Sequence, residues 1–349
     1  TTMADALRCA VLGMAHDHLW SNLNELAALP DVELLAGADY NPALRQRFTE
    51  RSGCDKVYEH YEALLDAEKP DAVLVFSATA EHADIVELCA ERGLPVLVEK
   101  PMAATLEQAS RMLTAARRHE TLLMINWPTA WNRALRTAYR LCQEGAIGRI
   151  WQITWRGGHA GPDDIGCSQE FCDFLFDAEQ NGAGAFNDYS GYGASVCVLF
   201  MGGIPQSVMG MAGRLVKTHL PVDDNGILIM RYPQALCRLE MTWTEAVSGQ
   251  PAHDFVFYGT EGTLTCGKTL TLFTADAKDG QTIDFDPLPT NEETAAQHFI
   301  HCIRTGVSPQ FQTSPDLAYD AQQIMEAGLR SATNGAEIGL PLEDHLFRF

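Results

Sequence analysis

The first third of the chain alternates short apolar runs with amphipathic stretches, and this alternation constrains the fold more than any other feature. The runs are almost continuously apolar, which is typical of strands buried on both faces of a parallel sheet. The predicted strands are CAVLG (9–13), VELLAGAD (32–39), DAVLVFSA (71–78), LPVLVEK (94–100) and LLMIN (122–126), and the predicted helices lie near 18–29, 42–52, 81–93 and 105–119. The pattern predicts an α/β doubly wound fold.

The pattern changes after Asn126, where helix-length segments no longer separate the later apolar runs. Runs that follow one another without a crossover helix indicate a mostly antiparallel sheet. The later runs lie near 149–158, 206–216, 225–232 and 235–245, and helices are predicted near 131–144, near 188–201 and twice after about 292. Because 349 residues exceed what one hydrophobic core usually fills, we predict two domains. The first covers 1–125, and the second, an α/β domain with an open, mostly antiparallel sheet, covers 126–349.

The charge of the chain argues against several classes of partner. Its 25 basic and 46 acidic residues give a net charge of −21, which repels phosphate backbones and anionic lipids, so neither nucleic acid nor membrane is expected. The apolar runs are also too short to cross a bilayer. The ten cysteines are scattered without CxxC spacing, and the sequence begins without an apolar signal-peptide core. We therefore expect a reducing, cytoplasmic location.

The segment after the first predicted strand, GMAHDH (13–18), admits three interpretations. As a dinucleotide-binding loop it keeps Gly13, but alanine and histidine stand at the second and third glycine positions. Asp39, at the end of the second predicted strand, would then accept the ribose hydroxyls of an adenosine, and the pyrophosphate would lie on the amides that open the first helix. The segment could equally be the turn of an α/β domain that binds no nucleotide.

The third interpretation is a metal site at His16 and His18. Residues two positions apart do not share a face of a helix. No CxxC, HExxH or carboxylate cluster accompanies the two histidines in the sequence. We therefore expect no metal at this segment.

Two further motifs carry residues suited to chemistry. PVLVEKPMA (95–103) ends a predicted strand with Glu99 and Lys100, and ligands of open α/β sheets bind beyond the carboxyl ends of the strands. GAGAFNDYSGYGAS (182–195) places Asp188 and Tyr192 four residues apart, hence on one helix face. A carboxylate beside a phenol can bind a hydroxyl and move its proton. Taken singly, an ordinary Lys-Pro turn and a helix-capping Asp beside a packed Tyr are the simpler explanations.

Together these motifs resemble the glucose–fructose oxidoreductase / inositol dehydrogenase (Gfo/Idh/MocA) family over nearly the whole chain. The matching features are Glu99-Lys100-Pro101, Gly13 with Asp39, the turn at 77–82, GAIG (145–148), GTEG (259–262) and GLPL (339–342). The resemblance implies an N-terminal Rossmann domain that binds a nicotinamide cofactor. It also implies a C-terminal domain whose open sheet joins subunits into homodimers or homotetramers. It favours the nucleotide-binding interpretation of the loop at Gly13.

The resemblance also implies which residues act in catalysis. Lys100 matches the lysine that binds the reacting hydroxyl, and Asp188 matches the first acid of the family motif D-x-G-x-H-x-x-D. Tyr192 replaces the usual histidine and Ser195 the second acid, so the site resembles that of the tyrosine-bearing branches of the family. We expect Lys100 to lower the pKa of Tyr192 or of the substrate hydroxyl, Tyr192 to exchange the hydroxyl proton, and Asp188 to orient the sugar.

The implied cofactor is NAD, with NADP possible. Asp39 would repel a 2′-phosphate, and Arg45 is the one cation close to it in the sequence. The residues expected to contact the cofactor are Gly13, Met14, Ala15, His16, Asp39, Tyr40, Ser77, Ala78, His82, Glu99 and Lys100.

The expected function is hydride transfer between the nicotinamide and a secondary alcohol or ketone of a sugar, glycoside or polyol. One alternative is a redox-neutral glycosidase or lyase that works through a transient keto-sugar. Another is a nucleotide-binding sensor, which would not need a proton-transfer set such as Lys100, Asp188 and Tyr192. The loop at 156–164, with His159, either lines the substrate pocket or is an ordinary surface loop.

Overall fold

The computed structural model describes residues 6–342, so the outer ends of the two predicted domains, 1–5 and 343–349, lie outside the described part of the chain. The described residues form two sheets with helices packed against them. None of the helices in this part of the chain combines the length and apolar character that crossing a bilayer requires.

The first sheet has six parallel strands in the spatial order β3-β2-β1-β4-β5-β6. Its elements are β1 (Leu7–Leu12), α1 (Leu19–Ala27), β2 (Val32–Ala38), α2 (Pro42–Ser52), β3 (Val57–Tyr58), α3 (Tyr61–Glu68), β4 (Ala72–Val75), α4 (His82–Ala90), β5 (Val96–Glu99), α5 (Leu106–Arg118) and β6 (Leu123–Asn126). The predicted doubly wound fold is confirmed. The strand order reverses between β1 and β4, and the carboxyl ends of these two strands open the crevice where such folds bind ligands.

Local signals in the sequence set the limits of several helices. Asn41 caps α2 by accepting a hydrogen bond from the Ala43 amide, and Pro42 occupies the first helical position. Gly53 ends α2 in the left-handed conformation. Thr105 begins α5 with a capping box completed by Gln108.

The second sheet has nine strands in the order β14-β13-β12-β11-β7-β10-β9-β8-β15. Its elements are α6 (Arg133–Gln143), β7 (Ile150–Gly158), α7 (Gln169–Leu175), α8 (Ala178–Asn181), α9 (Ala185–Met201), β8 (Ser207–Gly213), β9 (Asn225–Tyr232), β10 (Ala235–Thr242), β11 (Phe255–Gly259), β12 (Gly262–Cys266), β13 (Leu270–Thr274), β14 (Gln281–Ile283), α10 (Ala295–Thr305), α11 (Pro315–Asn334) and β15 (Ile338–Gly339). The neighbouring strands are antiparallel except β7 and β10. The predicted open, mostly antiparallel sheet is confirmed, and strands β11–β14 extend it beyond the predicted runs.

One face of the second sheet is covered by helices and the other is open. In β9, Leu228 and Met230 are buried beneath α9 and α11, whereas Ile227 and Ile229 point to the open face and are 45% and 42% exposed. Both faces of this strand are therefore apolar, which hides the two-residue period that usually marks a half-buried strand.

Helix α10 returns from the predicted second domain to the first sheet. Its residues Phe299 and Ile300 join the cluster that α1 forms against that sheet through Leu19 and Leu26. Helix α11 packs against both α9 and α5. α10 and α11 belong to the predicted second domain but pack against helices of the first. The domain boundary at 125/126 therefore stays a prediction.

Candidate active site

The loop after β1 requires a glycine for two independent reasons. Gly13 has φ = +77°, which L side chains rarely adopt. A Cβ added there would also lie 2.4 Å from the Ser77 Cβ and 2.6 Å from the Ser77 Cα. The absent side chain thus lets the loop after β1 approach the loop after β4.

The carboxylate of Asp39 is held against this loop by backbone amides. One oxygen accepts a hydrogen bond from Met14 N at 2.7 Å, and the other accepts one from Asn41 N at 2.8 Å. Burial raises the pKa of Asp39, while these two amide donors act in the opposite direction. The Met14 side chain lies in the core, so only its backbone belongs to the loop surface.

A cleft of about 380 Å³ opens between this loop and α7. Its lining includes five of the predicted cofactor-binding residues, Ala15, Asp39, Tyr40, Ser77 and Ala78. The volume falls in the range of small-molecule sites, and an acidic side chain at its edge suits the hydroxyls of a ribose. These residues therefore fit the nucleoside part of a dinucleotide.

Two side chains at the edge of this cleft have defined partners. Arg45 Nη1 donates to the backbone carbonyls of Asp39 at 2.7 Å and Tyr40 at 3.1 Å. The Tyr40 ring is 50% exposed and packs edge-on against Tyr61 with centroids 4.8 Å apart. Arg45 thus supports the turn after β2.

The structure brings a carboxylate to the two histidines of the loop. His18 Nδ1 lies 2.8 Å from Glu99 Oε1, and His16 Nε2 lies 4.0 Å from the same oxygen. The ligand atoms of these three residues all fall within 4.8 Å of one another. The fold thus supplies one acidic partner that the sequence around the two histidines lacks. Glu99 lies 81 residues beyond His18, and only the parallel pairing of the strands places it there.

Hydrogen bonds within the protein fix the arrangement of His16 and Glu99. His16 Nδ1 accepts the amide of His18 at 3.2 Å, so the proton of the neutral ring is on Nε2, the atom that faces Glu99. Burial lowers the pKa of His16 and keeps the ring neutral. Asn126 Nδ2 donates to the second Glu99 oxygen at 2.9 Å. A network of hydrogen bonds thus satisfies Glu99 without a cation.

The predicted catalytic residues meet beside this network. Lys100, at the end of β5, donates to Asp188 Oδ1 at 2.8 Å, and both side chains are buried. The second Asp188 oxygen accepts a hydrogen bond from Trp243 Nε1 at 3.0 Å. The Lys100 ammonium lies 4.9 Å from the centroid of the Tyr192 ring. Residues from β5, α9 and the end of β10 therefore converge on one point.

The charges of this group depend on the ion pair. Burial disfavours the charged form of Lys100, but Asp188 outweighs it and raises the lysine pKa. Burial likewise opposes the charge on Asp188, but Lys100 outweighs it and lowers the pKa of the carboxyl. Burial raises the pKa of Tyr192 to about 12, although Lys100 acts in the opposite direction. Lys100 thus acts on the Tyr192 pKa in the expected direction, but desolvation of the phenolate exceeds that effect and the net pKa rises.

His82 lies behind the site rather than at its surface. Its side chain is fully buried, and Nδ1 lies 3.1 Å from the carbonyl oxygen of Met102. Burial lowers the pKa of His82 to about 4, so the ring is neutral. His82 thus supports the turn that follows Lys100.

Two aromatic residues of the site, Trp243 and Tyr189, were not predicted from the sequence, and the position of a third residue, His159, was left open. Trp243 is fully buried, and its position just after β10 was the available signal. Tyr189 packs 5.7 Å from Tyr192 and 5.4 Å from His159, measured between ring centroids. The loop at 156–164 therefore brings His159 to the wall of the site.

The far end of this loop is held by an ion pair. The Lys217 ammonium donates to Asp163 and Asp164 of the loop at 3.0 and 2.6 Å.

Comparison with known protein families decides which family has this arrangement. Residues 7–127 match the model described as the oxidoreductase family with an NAD-binding Rossmann fold, GFO_IDH_MocA, and residues 135–265 match the GFO/IDH/MocA C-terminal domain. The chain belongs to the Gfo/Idh/MocA family. It is therefore an oxidoreductase with an NAD-binding domain, as the sequence motifs predicted.

Individual members of the Gfo/Idh/MocA family show how far the similarity extends. Scyllo-inositol 2-dehydrogenase (NAD(+)) of Bacillus subtilis is 25% identical over 98% of this chain and 97% of that enzyme. dTDP-3,4-didehydro-2,6-dideoxy-alpha-D-glucose 3-reductase of Streptomyces antibioticus is 35% identical, but over 42% of this chain and 45% of that enzyme. This chain thus spans less than half the length of that reductase. Levoglucosan dehydrogenase, solved with NADH and levoglucosan, shares the fold, with a TM-score of 0.79 and 20% identity over 97% of this chain and all of that one.

The fit of Gly13 against Ser77 gives a first prediction. Gly13→Ala is expected to weaken NAD binding about tenfold or more, because the methyl group would force apart the two loops that form the cleft, and each ~1.4 kcal/mol is tenfold in affinity. Calorimetric titration with NAD measures this effect. Gly53→Ala is the matched control, since Gly53 has a similar φ of +74° but open space around its Cα. Equal NAD affinity in Gly13→Ala and the unsubstituted protein would contradict the assignment of the loop.

Proposed function

We propose that this oxidoreductase transfers hydride between a nicotinamide cofactor and a secondary alcohol or ketone of a sugar or polyol. The observation that carries the proposal is the buried group of Lys100, Asp188 and Tyr192 at the carboxyl end of the sheet that carries the nucleotide cleft. The Bacillus relative acts on an inositol, and D-xylose 1-dehydrogenase [NADP(+)] of Haloarcula marismortui is 24% identical over 88% of this chain. A polyhydroxylated substrate is consistent with both.

The residues of the cleft would hold the cofactor. The turn from Gly13 to Ala15 would carry the pyrophosphate, Asp39 the adenosine ribose, and Ser77 and Ala78 the opposite wall. When bound, the nicotinamide supplies the hydride chemistry. We propose NAD as the preferred cofactor.

The remaining steps belong to this chain's own side chains. The Lys100 ammonium would bind the oxygen of the reacting hydroxyl and stabilise negative charge on it. Tyr192, as the phenolate, would accept the hydroxyl proton in oxidation, and the resulting phenol would return it in reduction. Both oxygens of Asp188 already accept hydrogen bonds from Lys100 and Trp243. Asp188 would therefore have two roles. It would keep Lys100 charged and correctly oriented, and its remaining lone pairs would accept hydrogen bonds from the substrate.

The dehydrogenase is favoured over the two alternatives. The relatives described above are named as dehydrogenases and a reductase, and nothing in the geometry favours a redox-neutral glycosidase or lyase. A sensor would gain nothing from keeping a buried Lys100–Asp188 pair beside Tyr192, since burying two charges is costly unless they serve a purpose. We further propose that no metal takes part, because the His16 proton occupies the nitrogen that would bind it.

A substrate panel tests this function. Sugars, polyols and glycosides are incubated with the protein and NAD or NADP, and absorbance at 340 nm is followed with and without a chelator. We expect net NADH formation with at least one free sugar or polyol, at a rate that the chelator leaves unchanged. Glycoside cleavage without net NADH would favour the redox-neutral alternative, and loss of activity on chelation would refute the absence of a metal.

The role of Tyr192 gives a prediction about rate rather than binding. Tyr192→Phe is expected to lower kcat by about 10²–10⁴-fold, the usual contribution of a general acid or base, with NAD affinity within a few-fold of the unsubstituted protein. Lys100→Ala is expected to be at least as damaging. Because the Tyr192 pKa lies near 12, the phenolate fraction grows with pH, so oxidation should accelerate through the alkaline range. This rise should disappear in Tyr192→Phe.

Steady-state kinetics across pH, with direct titration of NAD, measure these effects. Tyr139→Phe is the matched control, because Tyr139 packs against Phe200 and Phe311 in the core beneath the second sheet. If Tyr192→Phe keeps the kcat and the pH profile of the unsubstituted protein, then Tyr192 only packs and the proton leaves by another group.

We also propose that the chain forms a homodimer or homotetramer through the open face of the second sheet. Met209 pairs with Ile229, and Met211 with Ile227, across β8 and β9, and all four side chains are between 40% and 67% exposed. Leu236 of β10 extends this apolar surface and is 47% exposed. Such contiguous apolar surface marks an interaction site on a soluble protein.

Light scattering coupled to size-exclusion chromatography tests the oligomer. The unsubstituted chain is expected to elute as a dimer or tetramer, and Ile229→Asp to shift it toward the monomer, because a buried unpaired carboxylate is costly at an interface. Val307→Asp is the control, since Val307 is 43% exposed outside this sheet. A monomeric unsubstituted chain, or an unchanged assembly in Ile229→Asp, would contradict the proposal.

A further inference from the structure

Helix α7 covers the nucleotide cleft and is fixed to the first sheet at several points. The Ser168 amide, just before α7, donates to Asp17 Oδ2 at 2.7 Å. The Phe171 ring packs 4.4 Å from the His16 ring, measured between centroids. Phe171 also shares a small apolar cluster with Ala78. A segment of the predicted second domain is thereby seated against the loop that would bind the cofactor.

The most specific of these contacts is an ion pair between α2 and α7. Arg47 Nη1 and Nη2 donate to the two carboxylate oxygens of Glu170 at 3.0 and 3.1 Å. This two-pronged geometry is the strong form of an arginine–carboxylate pair. The Arg47 side chain is 33% exposed and that of Glu170 17%. Arg47 lowers the pKa of Glu170 by more than burial raises it, so the carboxylate stays charged at neutral pH.

Glu170 lines the same cleft as Asp39. The two carboxylates lie close enough for the charge on Glu170 to raise the pKa of Asp39, after the larger effect of burial. The described lining of the cleft contains five acidic residues and no lysine or arginine; the acids are Asp39, Glu81, Glu170, Asp173 and Asp177. Glu170, which faces the cleft, thus holds the Arg47 guanidinium beside the cleft and compensates its positive charge.

We propose that Glu170 is a specificity-determining residue that selects NAD over NADP by engaging Arg47, which would otherwise bind the 2′-phosphate. The inference rests on the proposed binding of the adenosine ribose at Asp39. A 2′-phosphate carries close to two negative charges and is bound well by a free guanidinium. With Nη1 and Nη2 of Arg47 engaged by Glu170, and Arg45 donating to the carbonyls of Asp39 and Tyr40, the phosphate would meet a lining whose charged side chains are carboxylates. The preference for NAD is therefore shared between the turn after β2 and a helix more than 120 residues further along the chain.

Binding titrations without substrate test this role. The dissociation constants of NAD and NADP, and of ADP and 2′,5′-ADP as fragments, are measured by calorimetry for the unsubstituted protein, Glu170→Gln, Arg47→Ala and the double variant. In Glu170→Gln the ratio Kd(NADP)/Kd(NAD) should fall roughly tenfold, the effect of one hydrogen-bonded charge pair. The fragments should show the same shift. In the Arg47→Ala background the effect of Glu170→Gln should vanish.

Asp173→Asn is the matched control, because it removes a charge from the same helix and cleft without freeing Arg47. Its Oδ1 accepts a hydrogen bond from Gln169 Nε2, so its contacts stay within α7. It should shift the ratio less than Glu170→Gln does. Thermal unfolding of each variant reports whether loss of the pair loosens α7.

Three results would overturn the proposal. They are an unchanged ratio in Glu170→Gln, a shift that persists without Arg47, and an equal shift in Asp173→Asn. If the unsubstituted protein binds NAD but shows one of these results, the role of Glu170 fails while the proposed function stands. If it binds neither dinucleotide, the proposed function itself fails.

Discussion

The ammonium of Lys100 and the carboxylate of Asp188 lie 2.8 Å apart with little access to solvent, and the rest of the site is arranged around that contact. Removing one partner from a buried pair typically costs about 3–5 kcal/mol, because the other charge is left uncompensated. Lys100 ends β5 of the first sheet, whereas Asp188 lies in the first turn of α9 beneath the second. The charged centre therefore exists when both sheets are assembled. Trp243, at the end of β10, completes it by satisfying the second oxygen of Asp188.

The behaviour of Tyr192 shows how burial and charge compete at such a centre. A neighbouring cation favours a phenolate, but removing the phenolate from water disfavours it by more, and the pKa of Tyr192 rises to about 12. The ammonium is not a free cation either, since it is paired with Asp188 at 2.8 Å. A substrate hydroxyl that binds to Lys100 would share that ammonium with Asp188. Burial and the ion pair thus act in opposite directions on the basicity of the tyrosine.

The sequence predicted those features that depend on local periodicity and on short motifs. The five apolar runs became β1, β2, β4, β5 and β6, and α2 has the predicted limits of 42–52. β3 has two residues and β14 three, which is too short to show any period, and β11, β12 and β13, of five residues each, were also not predicted. The contacts that were not predicted join residues distant in the chain. Glu99 meets His18, Trp243 meets Asp188 and Glu170 meets Arg47 only because the strands and helices pack as they do. The sign of the Tyr192 shift depended on the depth of burial, which a sequence does not give.

The return of α10 to the first sheet has a consequence for how the chain acquires its structure during synthesis. Phe299 and Ile300 complete the apolar cluster that α1 forms with Leu19 and Leu26. α10 follows α1 by some 270 residues, so the part of this cluster that faces α10 stays uncovered until those residues have been synthesised. The core of the Rossmann domain therefore includes residues that are synthesised long after its own strands and helices. α10 thereby joins the two parts of the molecule through a shared apolar cluster.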